Sequence, residues 1–285
     1  MAAKKVWLIT GCSSGLGHEI AKAALERGDV VVATARDPAK LNDLASKGAI
    51  TERLDVTASE YSLEAVVSSI AAKTGGRIDI LVNNAGYILT GGVEECSREE
   101  AQATFNTNVF GQLNMIRAVL PVMRKQRSGV VANMGSIGGW YGTPGAGLYC
   151  ATKACASILA EALRGEVAHL GIQVTSIEPG YTRTNFLVPG HMLRAEKTIE
   201  DLEESVGSTT DALGAYNHKQ PGDPAKTARL IIEALTGTGR CEIRALPPRL
   251  LVGKDAYDIV NGNIDAHKEN MQLWEDLATA TNCDD

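Results

Sequence analysis

The sequence predicts an α/β fold, a doubly wound parallel sheet with helices on both faces, spread over a single domain of 285 residues. Short β-branched runs alternate with longer stretches of helical periodicity from the amino terminus onward, which is the rhythm of β-α-β units. The runs are apolar throughout rather than alternating, as strands covered on both faces require. With 44% hydrophobic and 22% charged residues, the chain can bury a sizeable core and is neither disordered nor fibrous.

In chain order, strands are expected over 6–10, 30–34, 49–54, 78–82, 129–134 and 173–177, and helices over 18–27, 62–73, 98–125 and 149–170. The connections between strands have to be right-handed crossovers. Residues 186–221 break the rhythm, being polar, mixed in charge and rich in Gly, Ser and Thr, with a short helical pattern near 199–206. Loops of this length in compact domains are functional or mobile. A carboxy-terminal extension of about 241–285 follows: Leu246-Pro247-Pro248 leads into a last strand over 249–253, and a helix over 255–278 closes the chain. No repeat, linker or composition step marks a second domain.

A net charge of −6 provides no positive field for a phosphate backbone, which argues against nucleic acid as a partner. No apolar run approaches the roughly 18 residues of a membrane span. The run Val6-Trp7-Leu8-Ile9 is too brief for a signal peptide, and the protein is expected in the cytoplasm. Six cysteines (Cys12, Cys96, Cys150, Cys155, Cys241, Cys283) form no C-x-x-C pair and five histidines show no ligand spacing. Reduced thiols and no metal are expected.

Directly after the first strand comes Thr10-Gly11-Cys12-Ser13-Ser14-Gly15-Leu16-Gly17, and then an amphipathic helix. Glycine allows the tight turn and lets a pyrophosphate approach the backbone. The free N–H groups and the positive dipole at the helix start favour that anion. A glycine triplet alone also serves plain strand-to-helix turns; its strand-turn-helix setting favours the anion.

The spacing G-x-x-x-G-x-G resembles the short-chain dehydrogenase/reductase family, a Rossmann-type fold that binds nicotinamide dinucleotides. The resemblance implies cofactor contacts from Gly11, Ser13, Ser14, Gly15, Leu16 and Gly17. Members that prefer NAD carry an acidic residue at the end of the second strand; here Ala35 stands there and Arg36 follows. A guanidinium would pair with a 2′-phosphate, so NADP(H) is the expected cofactor, although Arg36 could equally be an exposed turn residue. NADP-using members often have a second basic residue just before the middle glycine, where this chain has Ser14, whose hydroxyl can still donate to a phosphate, and Asp37 weakens the local positive potential. Asp55 and Val56, after the third strand, occupy the family's adenine position, though an Asp there also suits a turn. Asn83-Asn84-Ala85-Gly86 matches the family's N-N-A-G, implying that Asn83, Ala85 and Gly86 brace the sheet and flank the ribose.

Tyr149 and Lys153 are four residues apart at the head of a helix and share one face. A cation near the phenol is expected to lower its ordinary value near 10, so that it can exchange a proton with a substrate oxygen. Ser136 lies 13 residues earlier, beyond the fifth strand, and matches the family serine that holds the reacting oxygen. The family often has serines in tandem here; the first is Gly135 in this chain. Asn108, in Asn106-Thr107-Asn108, matches the asparagine that fixes a water beside the lysine. After the sixth strand, Glu178-Pro179-Gly180-Tyr181-Thr182-Arg183-Thr184 resembles the nicotinamide-clasping turn, implicating Pro179, Gly180, Thr182 and Thr184, with Tyr149 and Lys153, in cofactor binding. Seven segments in the expected order make the chain similar to this family from Thr10 to Thr184.

The implied activity is reversible hydride transfer between NADP(H) and a hydrophobic secondary alcohol or ketone, a ketoreductase chemistry. Residues 135–153 look like the branch with 17β-hydroxysteroid and retinol dehydrogenases. Trp140, Tyr141 and Leu148 could line an apolar pocket or belong to the core, and 186–221 falls where the family has its substrate lid. Two other readings are a cofactor-dependent isomerase or epimerase and a non-redox NADP-binding protein. The family's pairing helices imply a homo-oligomer, a dimer or tetramer.

Overall fold

The computed structural model describes residues 4–283. Within them the strands are β1 (Val6–Ile9), β2 (Val30–Ala35), β3 (Ile50–Arg53), β4 (Ile80–Asn83), β5 (Ile88–Thr90), β6 (Gly129–Met134), β7 (Ile172–Pro179), β8 (Met192–Arg194) and β9 (Arg249–Val252). The helices are α1 (Gly15–Glu26), α2 (Asn42–Ser46), α3 (Glu60–Lys73), α4 (Arg98–Phe105), α5 (Gly111–Gln126), α6 (Gly147–Val167), α7 (Ser208–Ala215), α8 (Pro224–Thr236), α9 (Lys254–Leu273) and α10 (Glu275–Thr279). Seven strands form one parallel sheet in the order β3-β2-β1-β4-β6-β7-β9. The expected doubly wound Rossmann-type sheet is therefore present. The order reverses between β1 and β4, where the crossovers leave to opposite faces and a crevice opens beyond the carboxyl ends of the strands.

Side-chain alternation divides the core into two layers. Trp7 and Ile9 point to one face and pack with Ile20 and Ala24 of α1 and Ile231 and Leu235 of α8. Leu8 points to the other, against Val67 and Ile70 of α3, Met115 and Val119 of α5 and Ala160 of α6. Both faces of each strand are covered, which is why the runs read as continuously apolar.

The segments that depart from expectation have local causes. The helix expected over 98–125 is interrupted by a π-helical turn, Asn106–Phe110, between α4 and α5. The terminal helix breaks at Trp274 into α9 and α10. Helix α8 was not anticipated, yet its signals stand in the sequence: Asp223 accepts from the N–H groups of Ala225 and Lys226, Pro224 opens the helix, and Gly237 ends it at φ +60°. The helical pattern near 199–206 is present as a 3-10 turn, Glu200–Leu202, and a π-helical turn, Glu203–Gly207, that lead into the regular helix α7. Strands β5 and β8, three residues each, pair in parallel beside the main sheet; they are too short for periodicity to reveal.

Candidate active site

The turn after β1 is built by close backbone approach. Gly11 and Gly15 have φ of +70° and +63°, and a Cβ at Gly17 would lie 2.3 Å from Nδ2 of Asn84. That amide donates to the carbonyls of Thr10 (2.9 Å) and Gly11 (3.0 Å), tying the end of β4 to the turn. Ser14 stands at the N-cap of α1 but its side chain makes no cap hydrogen bond, whereas Ser59, Ser97 and Asp223 cap α3, α4 and α8 respectively. The first N–H groups of α1 are thus left for another acceptor.

These groups face a cavity of about 560 Å³. Gly11, Ser13, Ser14, Gly15 and Leu16 line it from the turn; Arg36, Asp55 and Val56 from the ends of β2 and β3; Ala85 and Gly86 from beyond β4. Pro179, Gly180, Thr182 and Thr184 line it from beyond β7, and Ser136, Tyr149 and Lys153 close its far end. Three expected residues lie elsewhere. Gly17 packs under Asn84, and Asn83 is buried with its Nδ2 donating to Asn133 Oδ1 (2.9 Å), a brace between β4 and β6. Asn84, the second asparagine of the same motif, takes the place in the cavity wall.

Asn108, the third, is fully buried on the π-helical turn. Its Oδ1 accepts from the Tyr87 N–H (3.1 Å), and its Nδ2 donates to the Tyr87 carbonyl (2.9 Å) and to Thr152 Oγ1 (3.2 Å). A π-helical turn sets this residue inward against α6, and such turns recur at functional sites.

At the β2 end no carboxylate occupies the strand terminus: Ala35 is buried, and Asp37 caps the following turn by accepting from the Ala39 N–H (3.1 Å). Arg36 is exposed at the cavity rim.

Ser136, Tyr149 and Lys153 converge as the spacing suggested, but their electrostatics differ from expectation. Lys153 is buried, its Nζ donates to the Met134 carbonyl (2.8 Å), and it lies 5.6 Å from the centre of the Tyr149 ring. Burial lowers the lysine to about 8. Tyr149 is not made more acidic: burial pushes its phenol above the ordinary value, and a hydrogen bond with Ser136 only partly offsets this. Desolvation of the phenolate outweighs a cation that is itself desolvated and already engaged by a carbonyl. Ser136 Oγ also accepts from the Gly138 N–H (3.0 Å), which orients the hydroxyl. At Gly135 a Cβ would lie 2.4 Å from Ser176 Oγ, so the first position of the tandem has no room for a side chain.

A second cavity of about 110 Å³ lies beyond this cluster. The two share Ser136, Tyr149, Pro179, Gly180, Thr182 and Phe186 in their walls. Ile88, Ile137, Tyr141, Cys150, Leu187 and Leu213 make the smaller one largely apolar, with Gln220 in its wall. Neither polar atom of the Gln220 amide has a partner among the described residues. Tyr141 is where expectation put it, but Trp140 and Leu148 do not line the cavity. The Trp140 indole donates to Glu178 Oε2 (2.6 Å) and stacks under Arg249, 3.8 Å from its guanidinium. Arg249 is 71 residues from Glu178, a separation at which sequence spacing carries no signal. Gln220 and His191, which enters the larger cavity from the segment after β7, were likewise not anticipated, because no local pattern marks them.

Among the described residues no His, Cys, Asp or Glu cluster could hold a metal, and no helix is long and apolar enough to cross a membrane.

A sequence model of the short chain dehydrogenase family matches residues 5–190. The chain is 35% identical over 282 residues to "Oxidoreductase BOA17" of Botryotinia fuckeliana (strain B05.10), covering 97% of this chain and 99% of that protein. It resembles the crystal structure of a short-chain dehydrogenase from Streptomyces avermitilis at TM-score 0.87 and 40% identity, covering 98% of this chain and all of that one. More distant likenesses, each 26% identical over 87% of this chain, are serine dehydrogenase complexed with NADP+ (TM-score 0.71, 94% of that chain) and 3-ketoacyl-(acyl-carrier-protein) reductase from Brucella melitensis complexed with NADH (TM-score 0.70, 96% of that chain). The chain belongs to the short-chain dehydrogenase family and is an oxidoreductase of the kind that uses a nicotinamide cofactor.

Proposed function

We propose that this short-chain dehydrogenase is an NADP(H)-dependent oxidoreductase acting on a hydrophobic secondary alcohol or ketone. The observation that carries the reading is the meeting of a dinucleotide-sized cavity and a small apolar one at Ser136 and Tyr149. The bare amides at the start of α1 and the glycine contacts of the turn suit a pyrophosphate. Arg36, with no carboxylate at the end of β2, suits a 2′-phosphate.

When bound, the cofactor supplies or accepts the hydride at its nicotinamide. The Ser136 hydroxyl, fixed by the Gly138 N–H, donates a hydrogen bond to the substrate oxygen. Tyr149, held protonated by burial at neutral pH, gives its proton to that oxygen as reduction proceeds. Lys153 presents its ammonium to the ribose end of the cavity and to the base of the phenol. Asn108 keeps Tyr87 and Thr152, and with them the start of α6, in register.

The smaller cavity, about 110 Å³, falls below the roughly 150 Å³ that admits benzene, so a short branched chain fits it with 186–221 in this position and a ring would extend into the larger cavity that shares its walls. A polycyclic substrate would require those residues, which serve as the lid, to move. We further assign a homo-oligomer, formed through the faces of α5, with the π-helical turn before it, and α6, where Phe110 and Ile158 are exposed. Sedimentation of the protein tests it, a monomer excluding it.

Following NADPH absorbance over a panel of small cyclic and branched ketones tests the main reading: net consumption supports it. Product formation without consumption would instead identify an isomerase or epimerase. Arg36→Asp is expected to move the Michaelis constant from NADPH towards NADH by about tenfold or more, a charge-assisted pair being replaced by a repulsion.

A further inference from the structure

Family members that use NADP place a basic side chain just before the middle glycine of the turn, and this chain has Ser14 there. Its hydroxyl has a partner from far along the sequence: Ser14 Oγ lies 3.1 Å from Nε2 of His191, 177 residues away. Both residues line the larger cavity, with Arg36 on the same wall. The imidazole is held there by its backbone, since the His191 N–H donates to the Val188 carbonyl (3.1 Å) and its carbonyl accepts from Ile88 N–H (3.0 Å), immediately before β8 pairs with β5. Burial, with a further contribution from the charges of Lys40 and Arg36, holds the ring's protonation below the ordinary range. Neither cation has an ion-pair partner within 4 Å among the described residues. An Arg36 side chain without an ion-pair partner and a half-buried imidazole beside a serine that caps no helix N–H form a group of donors around the cavity that suits an anion.

We propose that His191, carried by the lid, is a cofactor-binding residue that completes with Ser14 and Arg36 the site for the 2′-phosphate of NADP(H). The assignment rests on the NADP(H) reading above. It makes the substrate lid part of cofactor discrimination: when the phosphate is present, the segment that carries Leu187 and Phe186 over the smaller cavity is anchored across the phosphate turn. An anion beside the ring also favours its protonated form, so the contact strengthens once the cofactor is seated.

The test is calorimetric binding of NADP+ and NAD+ to the wild type, His191→Ala, His191→Gln and Arg36→Asp, with melting curves to establish that each variant is folded. His191→Ala is expected to weaken NADP+ about tenfold while leaving NAD+ within about twofold, and His191→Gln, a neutral donor, to fall between. Equal losses for both cofactors would mean that His191 serves the pyrophosphate or the fold and would overturn the assignment. So would an Arg36→Asp switch in preference alongside unaltered His191 variants, leaving the NADP(H) reading intact. A wild type that binds NAD+ as tightly as NADP+, with no variant changing either, would overturn both.

Discussion

The two ends of the parallel sheet treat their polar groups in opposite ways. At the amino ends of the strands, Asp29 accepts from the Trp7 indole (2.9 Å), the Lys5 N–H (3.0 Å) and Arg27 (2.6 Å), and Asp79 accepts from the Val6 N–H (2.7 Å) and from Arg77 (2.9 Å). Each carboxylate there is saturated by neighbours on the same side of the fold. At the carboxyl ends, among the described residues, Ser14 leaves α1 uncapped, the Gln220 amide has no partner, Arg36 has no carboxylate, and Lys153 and Tyr149 are buried at the expense of their charged forms. One end spends its polar groups on stability. The other keeps them uncommitted around two cavities, which is how a rigid sheet can carry a reactive site at one edge without weakening its core.

Changes at the open end should therefore alter chemistry and binding, and changes at the saturated end should alter stability. The largest expected effect is at the junction of the cavities: Tyr149→Phe should lower turnover about 10³-fold or more, with NADP+ affinity and unfolding free energy within about 1 kcal/mol of wild type. Retained turnover measured by NADPH consumption would deprive the phenol of its proton-donating role. At the opposite end, Asp29→Ala removes a carboxylate 1% exposed and strands the Trp7 indole and Arg27, so urea unfolding should register a loss of about 3 kcal/mol while the Michaelis constants stay put. A smaller effect of both kinds is expected at the turn, where Gly17→Ala forces its Cβ against Asn84. A loss of about 2 kcal/mol with weaker binding of either cofactor would mark the turn as the point at which the two regimes meet.

The smallest concerns Lys153. Its folded value is lowered to about 8 from 10.5, so between those limits the unfolded chain keeps a proton that the folded chain has released. Stability from this group is therefore least below about pH 8 and rises as pH increases toward 10.5. Lys153→Met should remove this rise, so that the unfolding free energy from urea denaturation changes less across that window than it does in the wild type. Identical pH profiles for the two proteins would count against a strained ammonium.

The legible parts of this molecule were those whose physics is local. Val6-Trp7-Leu8-Ile9, the glycine turn and the first helix adjoin one another, and Tyr149 and Lys153 share a face because a helix puts i and i+4 together. Helix α8 lies outside the expected elements although Asp223-Pro224 and Gly237 bracket it, so its signal too is local. Asn83 and Asn84 were both visible, but which of two adjacent amides turns inward to Asn133 and which toward the turn depends on the pleat of β4 against β6. Trp140 was equally visible and went to Glu178 and Arg249, because a buried glutamate on β7 needs donors and an indole N–H was within reach.

By itself, then, the sequence determined the order of the main strands and the helices between them, the glycine turn and the pairing of Tyr149 with Lys153, since all of these follow from backbone conformation and spacings of a few residues. The tertiary structure decided which protonation states those residues prefer, which wall each side chain joins, and that His191 meets Ser14. Those outcomes depend on desolvation and on contacts between groups far apart in the chain, and both exist only after the sheet has closed over its core.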